Sequence, residues 1–238
     1  MKIKADKLKT FLTKVKLQNE NAIQEAVFDF GKEGVKINAN NPAKLARVMG
    51  WLKASAFKEY KDIGPIGLND IDNLIKVISR FKDETVLTVE GNLLTLKNAG
   101  KVVEISLVNT NFITTDTKEP ELTFVDTFTL PGGRLQEIFD DVKLNKDTII
   151  SMETGLKNVK ISNTGKYKFQ HTMEASTCVG GAKSSFGQPL MDCLSNLDGN
   201  LEMSLGNNYP IKVIEKTEDS IINIIVAPRV DSEKEGEE

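Results

Sequence analysis

The sequence predicts an α+β protein built from two similar domains of antiparallel sheets, each with helices on one face. Two observations lead to this fold class. Amphipathic segments alternate with short strand-like runs in the first half, and the same order starts again near residue 123. Such internal repetition indicates a duplicated module. The chain has 238 residues, 39% hydrophobic and 27% charged, which is enough for two domains with buried cores.

The first predicted helix covers residues 6–17 and follows a short N-terminal strand. Its apolar residues recur at i, i+3, i+4 and i+7, which places them in one stripe: Leu8, Phe11, Leu12 and Val15. The lysines of this segment fall outside the stripe, where we expect them to be exposed: Lys7, Lys9, Lys14 and Lys16.

The second predicted helix covers residues 68–82, with Asn69 or Asp70 as its N-cap. Its apolar stripe consists of Ile71, Leu74, Ile75 and Ile78. Lys76 and Arg80 lie opposite this stripe, within one turn of each other. Both helices of the first half therefore present cations on the side that is not needed for the core.

Strands are predicted between and after these helices, because alternating runs are separated by turn residues such as Gly91 and Gly100. The predicted strands of the first half are 25–30, 35–39, 85–90, 93–97 and 102–108. Residues 44–58 fit either a helical or a strand period. Residues 109–121, rich in Thr and Asn and containing Pro120, are the best linker in the chain.

The second half repeats the plan. A strand at 123–130 leads into a third helix at 131–144, and a fourth helix is expected at 187–197 after a loop at 177–185. The remaining predicted strands are 148–153, 158–162, 166–173, 200–205, 211–215 and 220–226. We therefore expect domains at 1–108 and 123–230, a connector at 109–122 and a tail at 231–238.

Catalytic chemistry has little support in this sequence. The single histidine, His171, lies in a strand-like run, and Cys178 and Cys193 match no metal or redox spacing. We expect buried, inert thiols, a structural or interface histidine, no catalytic residue, no metal and no cofactor. An enzyme that uses an unrecognised pair of carboxylates remains the alternative from another functional class.

The net charge of −3 is concentrated in the tail, which holds five acidic residues and one lysine. The rest of the chain has 30 basic and 29 acidic residues, so its net charge is near +1. We expect the tail to be disordered. No apolar run reaches the roughly 18 residues that span a bilayer, and the N-terminus has no signal-peptide core. We therefore expect an intracellular protein without a membrane partner.

Several runs resemble the DNA sliding clamps of the proliferating-cell-nuclear-antigen (PCNA) family. They are NYPIKV at 208–213, IIVAPRV at 224–230 before an acidic tail, GVKI at 34–37, PGG at 131–133 and YKFQHT at 167–172. The likeness covers essentially the whole chain in order and length. It implies a homotrimer that closes a ring of six domains, with helices inside and sheets outside. Strand 102–108 of one subunit would pair with strand 166–173 of the next.

The resemblance also implies a function and its residues. The ring would encircle double-stranded DNA without sequence preference and tether DNA polymerase, the clamp loader and other replication and repair proteins as a processivity factor. The implied DNA-binding residues are Lys7, Lys9, Lys14, Lys16, Lys76, Arg80, Arg134 and Lys143. In the third helix, Glu137 and Asp140 stand where the family usually has cations, and the fourth helix has no cation.

Partners of this family dock a short motif in an apolar pocket under the connector. The implied pocket residues are Lys44, Leu45, Pro120, Phe124, Pro210, Ile225, Ala227 and Pro228. A second role keeps the same fold: a specialised subunit of a heteromeric or checkpoint-like ring. Self-association distinguishes the two roles. The site of action would be DNA inside the cell, in the cytoplasm or nucleoid, or in the nucleus if the source is eukaryotic.

Overall fold

The computed structural model describes residues 1–115, 118, 120–145 and 149–229, and within them the chain forms 17 strands and four α-helices. The predicted tail at 231–238 lies outside the described residues. The elements of the first half are β1 (Lys2–Lys4), α1 (Ala5–Lys16), β2 (Ala26–Gly31), β3 (Gly34–Asn40), β4 (Ala46–Lys53), β5 (Phe57–Glu59), β6 (Gly64–Leu68), α2 (Ile71–Ile78), β7 (Glu84–Glu90), β8 (Leu93–Asn98) and β9 (Lys101–Ser106).

The second half repeats this order with one strand fewer. Its elements are β10 (Asp126–Pro131), α3 (Gly132–Val142), β11 (Ile150–Gly155), β12 (Asn158–Asn163), β13 (Gln170–Glu174), β14 (Lys183–Phe186), α4 (Gln188–Leu194), β15 (Asn200–Leu205), β16 (Ile211–Lys216) and β17 (Ser220–Val226). Every recorded strand pair is antiparallel. The predicted α+β class with antiparallel sheets is confirmed.

Three sheets contain these strands. Their orders are β5-β1-β7-β8-β9, β10-β15-β16-β17-β4-β3-β2-β6 and β13-β12-β11-β14. The eight-stranded sheet therefore spans both halves of the chain, which meet where β17 pairs with β4 over seven residue pairs. The strands β9 and β13 each end a sheet.

The two halves have equivalent topologies. The order β1-β7-β8-β9 corresponds to β10-β15-β16-β17, and the order β6-β2-β3-β4 corresponds to β14-β11-β12-β13. In each half a helix follows the first strand, and another follows the equivalent edge strand β6 or β14. By this correspondence β17 is equivalent to β9, and β4 is equivalent to β13.

The helices α1, α3 and α4 pack against strands of the large sheet, and α2 packs against α1. The inward side chains of β4 alternate with outward ones, and α1 crosses β4 where Gly50 leaves room for it. A Cβ atom at Gly50 would lie 2.5 Å from Val15 Cγ1 and 2.8 Å from Ile37 Cγ2. The helix α4 packs on β17 of the same sheet. The apolar core runs through both halves without interruption.

Several predicted bounds are wrong. The second helix begins at Ile71 and ends at Ile78, so it is shorter than the predicted 68–82. The predicted loop 177–185 contains the start of β14, the ambiguous segment 44–58 forms β4 and β5, and β6 was not predicted. The longest described helix has 12 residues, and no described helix is long and apolar enough to cross a membrane.

Candidate nucleic-acid and partner interfaces

The helix α1 holds the largest group of predicted DNA-binding cations. Its apolar stripe is buried as expected, with Phe11, Leu12 and Val15 each at most 2% exposed. Lys9 is exposed, and no ion pair to it is recorded among the described residues. Lys7 and Lys16 are partly buried, and each forms an ion pair, with Asp219 at 2.7 Å and with Asp72, respectively.

Lys14 contradicts its predicted exposure. It is only 6% exposed, and its Nζ donates to Glu215 Oε2 at 2.7 Å and to Asp198 Oδ1 at 2.9 Å. Burial by itself lowers the pKa of the Lys14 ammonium, but the hydrogen bonds to Glu215 and Asp198 outweigh it and raise the pKa above its ordinary value. Lys14 is therefore a buried cation that joins the two halves, because both acceptors belong to the second half.

Glu215 completes this contact. Glu215 is 0% exposed. Its Oε1 also accepts hydrogen bonds from the backbone N–H groups of Asp198 at 3.1 Å and Gly199 at 2.9 Å. The carboxylate thus receives three hydrogen bonds, which is what a fully buried charge requires. The same Lys14 contact holds the pKa of the Asp198 carboxyl below its ordinary value.

The region of α2 supplies two exposed cations. Asp70 caps the helix by accepting a hydrogen bond from the Asn73 N–H at 2.8 Å. Lys76 in the last turn and Arg80 just beyond the helix are exposed, and their side chains have no recorded ion pair within the described part of the chain. Together with Lys9 they form the set that we call the open cations.

The helix α3 is electrically balanced. Arg134 forms an ion pair with Glu137, and Lys143 Nζ lies 2.8 Å from Asp140 Oδ1, each at i,i+3 spacing on exposed side chains. Surface pairs of this kind contribute little to stability, but they reduce the charge that each cation offers to a phosphate. The helix α4 carries no cation in its sequence.

The predicted partner-binding residues come together around the C-terminal end of β17. The Ala227 N–H donates to the Leu45 carbonyl oxygen at 2.8 Å, which joins the C-terminal segment to the loop before β4. The Phe124 ring meets Tyr209, next to Pro210, edge to face, with 5.8 Å between centroids. Leu45 is 43% exposed, whereas Ile225 is 8% exposed.

The remaining predicted partner-binding residues lie at the margin of this group. Lys44 is exposed and has a left-handed backbone, with φ of 55°. Pro228 is half-buried, and Pro120 is exposed in the connector. We call the group formed by all eight predicted residues the connector pocket.

Arg47 belongs to this surface and was missed by the sequence reasoning. It lies on β4 directly opposite Ile225 of β17 and is 8% exposed. Its Nη1 donates to the Lys118 carbonyl oxygen of the connector at 2.6 Å, and its Nε donates to Asn38 Oδ1 at 2.9 Å. A charged residue inside a run of alternating strand residues was the available signal, because a cation there needs a specific partner.

A separate cavity of about 740 Å³ opens on the outer face of the eight-stranded sheet. Met49, Trp51, Ile221 and Asn223 belong to its lining, and Thr110 and Asn111 at the start of the connector close one side. None of the predicted partner-binding residues lines it.

The cysteines and the histidine are located as follows. Cys178 and Cys193 are buried free thiols, as predicted. Burial, with the nearby Asp126 carboxylate, raises the pKa of Cys178 to about 11, and burial, with Asp192, raises that of Cys193 to about 12. His171 lies on the edge strand β13, with its Nε2 3.2 Å from Asp141 Oδ2.

Comparisons with known proteins agree on one class. No protein-family model matches the chain. A DNA polymerase sliding clamp of Methanococcus maripaludis is 24% identical over 232 residues, which cover 89% of this chain and 92% of that protein. DNA polymerase sliding clamp 1 of Thermococcus kodakarensis is 26% identical over 230 residues, covering 89% and 91%, respectively.

Solved structures show the same fold. The PCNA of A. fulgidus, bound to the C-terminal region of FEN-1, superposes with a TM-score of 0.86 and 22% identity over 98% of each chain. The PCNA of Entamoeba histolytica gives a TM-score of 0.82 at 19% identity, covering 96% of this chain and 98% of the other. The PCNA2–PCNA3 complex of Sulfolobus tokodaii gives 0.79 at 17% identity, with the same two coverages.

Proposed function

We propose that this chain, which belongs to the PCNA family of DNA sliding clamps, encircles duplex DNA and tethers DNA polymerase and other replication and repair proteins to it. It is a processivity factor and not an enzyme. The observation that carries this function is the match, over about nine-tenths of the chain, to proteins named DNA polymerase sliding clamps. The function depends on shape, since a closed ring stays on DNA without binding it tightly.

The internal repeat supports ring closure. Within the chain, the two halves join by pairing β17 with β4. Their equivalents, β9 and β13, both lie at sheet edges of the same molecule. Pairing β9 of one subunit with β13 of the next would repeat the internal joint and cover both exposed edges. We propose that three subunits close the ring in this way, giving six modules with the helices inside.

The DNA contacts that we propose are weak and unevenly spread. The open cations Lys9, Lys76 and Arg80 are the strongest candidates, because they are exposed and no ion pair to them is recorded among the described residues. Lys7, Lys16, Arg134 and Lys143 would contribute less, since each already has an acidic partner. Contacts to phosphate carry no base specificity, so a few of them suit a ring that slides.

The connector pocket is our proposed docking site for partner motifs. Exposed Leu45 and the Phe124–Tyr209 pair offer apolar surface beside the ordered C-terminal segment. A pocket of this kind accepts an apolar or aromatic anchor from a peptide. The A. fulgidus clamp is bound to the C-terminal region of FEN-1, which makes such a segment a suitable probe.

A specialised subunit of a heteromeric ring is a second candidate, because one structural neighbour is a complex of two different clamp subunits. Such a subunit would leave β9 or β13 without a partner when it is alone.

In either role, a replication clamp acts inside the cell on DNA. We propose the nucleoid, or the nucleus if the source is eukaryotic, as the place of action.

Retention on blocked DNA tests encirclement. The protein is loaded by threading onto a linear duplex with biotinylated ends, and streptavidin is then added to close both ends. We expect the protein to stay on the blocked duplex through a high-salt wash and to leave an open-ended duplex of the same sequence. Equal loss from both duplexes would exclude a closed ring around DNA.

Charge reversal tests the proposed DNA contacts. Replacing Lys9, Lys76 and Arg80 together by Glu should weaken binding to open duplex and flatten the dependence of log K on log salt. Each lost phosphate contact reduces that slope by about 0.9. Lys36→Glu, on the outer face of the sheet, is the matched control and should change neither quantity. Unchanged binding by the triple variant would remove the open cations from the mechanism.

A further inference from the structure

We infer that Arg47 is a positioning residue of the connector pocket, which fixes the connector over the outer face of the sheet beside Ile225. The inference rests on the proposed function for the meaning of the pocket. The contacts of Arg47 are observations of the fold alone. The proposal goes beyond the predicted pocket residues, none of which bridges the sheet and the connector through its side chain in the described structure.

The location of Arg47 comes from strand register. In the large sheet Asn40, Arg47 and Ile225 are directly opposite one another across β3, β4 and β17. Residues that face each other across neighbouring strands lie on the same side of a sheet. Arg47 therefore shares the outer face with Ile225, whereas its neighbours Ala46 and Val48 point to the core, where they are at most 3% exposed.

The burial of Arg47 requires the connector. A guanidinium on the outer face of a sheet is normally solvated, yet Arg47 is only 8% exposed. Burying this charge is costly unless acceptors replace the lost water. The sheet supplies Asn38 Oδ1 to Nε, and the connector supplies the Lys118 carbonyl oxygen to Nη1, 71 residues away along the chain. Burial of Arg47 and the position of the connector are thus coupled.

The Arg47–Lys118 hydrogen bond is one of two anchors seen on the described residues of the connector. The other is Ile113, which is 6% exposed and packs near Gly67 of β6, where the Val108 N–H also donates to the Gly67 carbonyl oxygen at 3.1 Å. The Arg47–Lys118 bond comes five residues later, on the side nearer Phe124. It therefore controls the part of the connector that leads into the pocket.

This geometry has a consequence for partner binding. A hydrogen bond to a charged group is stronger than a neutral one, and a connector that is already held in place loses less freedom when a peptide docks. Removing Arg47 should release the connector and weaken docking together, while the fold of the sheet is preserved. A residue that only filled space in the sheet would change sheet stability instead.

Hydrogen exchange measured by mass spectrometry tests directly whether the Arg47–Lys118 hydrogen bond holds the connector in place. In Arg47→Met, which keeps an unbranched apolar stem but loses every donor, the peptide covering residues 109–122 should exchange at least about tenfold faster. Peptides from β4 and β17 should exchange as in the wild type. Lys36→Met removes a cation from the same outer face, without a recorded connector contact, and should leave the connector unchanged.

A second variant keeps the test decisive if Arg47→Met does not fold. Asn38→Ala removes only the acceptor of Arg47 Nε, so it should accelerate connector exchange in the same direction by a smaller factor. If the connector exchanges no faster in either variant, the inference is wrong. The inference is also wrong if β4 and β17 lose protection as much as the connector does, because Arg47 would then be a sheet residue only.

Peptide binding supplies the functional readout. A fluorescent peptide with the FEN-1 C-terminal sequence that is seen bound to the A. fulgidus clamp should bind Arg47→Met about tenfold more weakly than wild type, and Lys36→Met as tightly as wild type. Equal or tighter binding by Arg47→Met would overturn the positioning role. Failure of the wild type to bind the peptide would count against the proposed docking function. The hydrogen-exchange rate of the connector would still show whether Arg47 holds the connector in place.

Discussion

Lys14 is a buried cation that bonds the first half of this molecule to the second. Helical periodicity correctly placed it outside the apolar stripe of α1, and from there it was predicted to face DNA. The residue that buries it, Glu215, is 201 positions away in the sequence. Periodicity describes one helix and carries no information about which distant strand approaches it. The same limit explains why Arg47 was missed, since its acceptor in the connector, the Lys118 carbonyl oxygen, lies 71 residues away.

Removal of the Lys14 ammonium should therefore be a stability defect and not a DNA-binding defect. Lys14→Met leaves the fully buried Glu215 without its cation, and breaking a buried pair in this way costs about 3–5 kcal/mol. Chemical denaturation measures the loss. Lys9→Met, an exposed lysine of the same helix, is the control and should stay within about 0.5 kcal/mol of wild type. Similar stabilities for the two variants would contradict the buried-pair assignment.

The Lys14 contact also predicts a pH dependence. Hydrogen bonding to Lys14 lowers the pKa of Asp198 below its ordinary 3.8. A carboxyl whose pKa is lower in the folded state stabilises the fold above its unfolded value, and that contribution disappears as the pH falls through the folded value. The stability difference between wild type and Lys14→Met should therefore narrow below about pH 4. A stability difference between the two proteins that stays constant from pH 6 to pH 3 would contradict the contribution of the Lys14–Asp198 contact.

At the scale of elements, long periodic segments were predicted well and short ones were not. The four helices and most strands were found because each has its own apolar pattern. β6 contains Pro65 and two glycines, and β14 has the sequence KSSF, so neither has strong strand propensity. Both are edge strands, which neighbouring strands hold in place: β2 pairs with β6, and β11 pairs with β14. Edge positions also tolerate proline.

Packing of α1 on the sheet gives a prediction for two glycines. A Cβ at Gly50 would lie 2.5 Å from Val15 Cγ1, so Gly50→Ala should force α1 away and cost about 1–3 kcal/mol. Gly133 in α3 has open space around its Cα, and Gly133→Ala should stabilise the protein by about 0.5–1 kcal/mol. Thermal unfolding measures both. A tolerated Gly50→Ala would mean that α1 is not seated on β4 as described.

At the scale of the whole molecule, the duplication seen in the sequence acquires a geometric role. One joint, between β17 and β4, is made inside the chain, and its equivalent strands β9 and β13 remain at sheet edges. The sequence pattern indicated both halves, and the resemblance to sliding clamps implied both edge strands. The sequence did not indicate that the β17–β4 pair inside the chain is equivalent to the proposed β9–β13 pair between subunits, because that requires knowing which strands pair.

Ring closure through β9 and β13 is the central claim, and the mass in solution tests it most directly. Light scattering at micromolar concentration should give about three times the subunit mass of 26.3 kDa. Thr172→Pro, which removes a backbone donor from the edge strand β13, should shift that mass toward a single subunit. A wild-type mass of 26.3 kDa that persists as concentration rises would contradict closure into a homotrimeric ring.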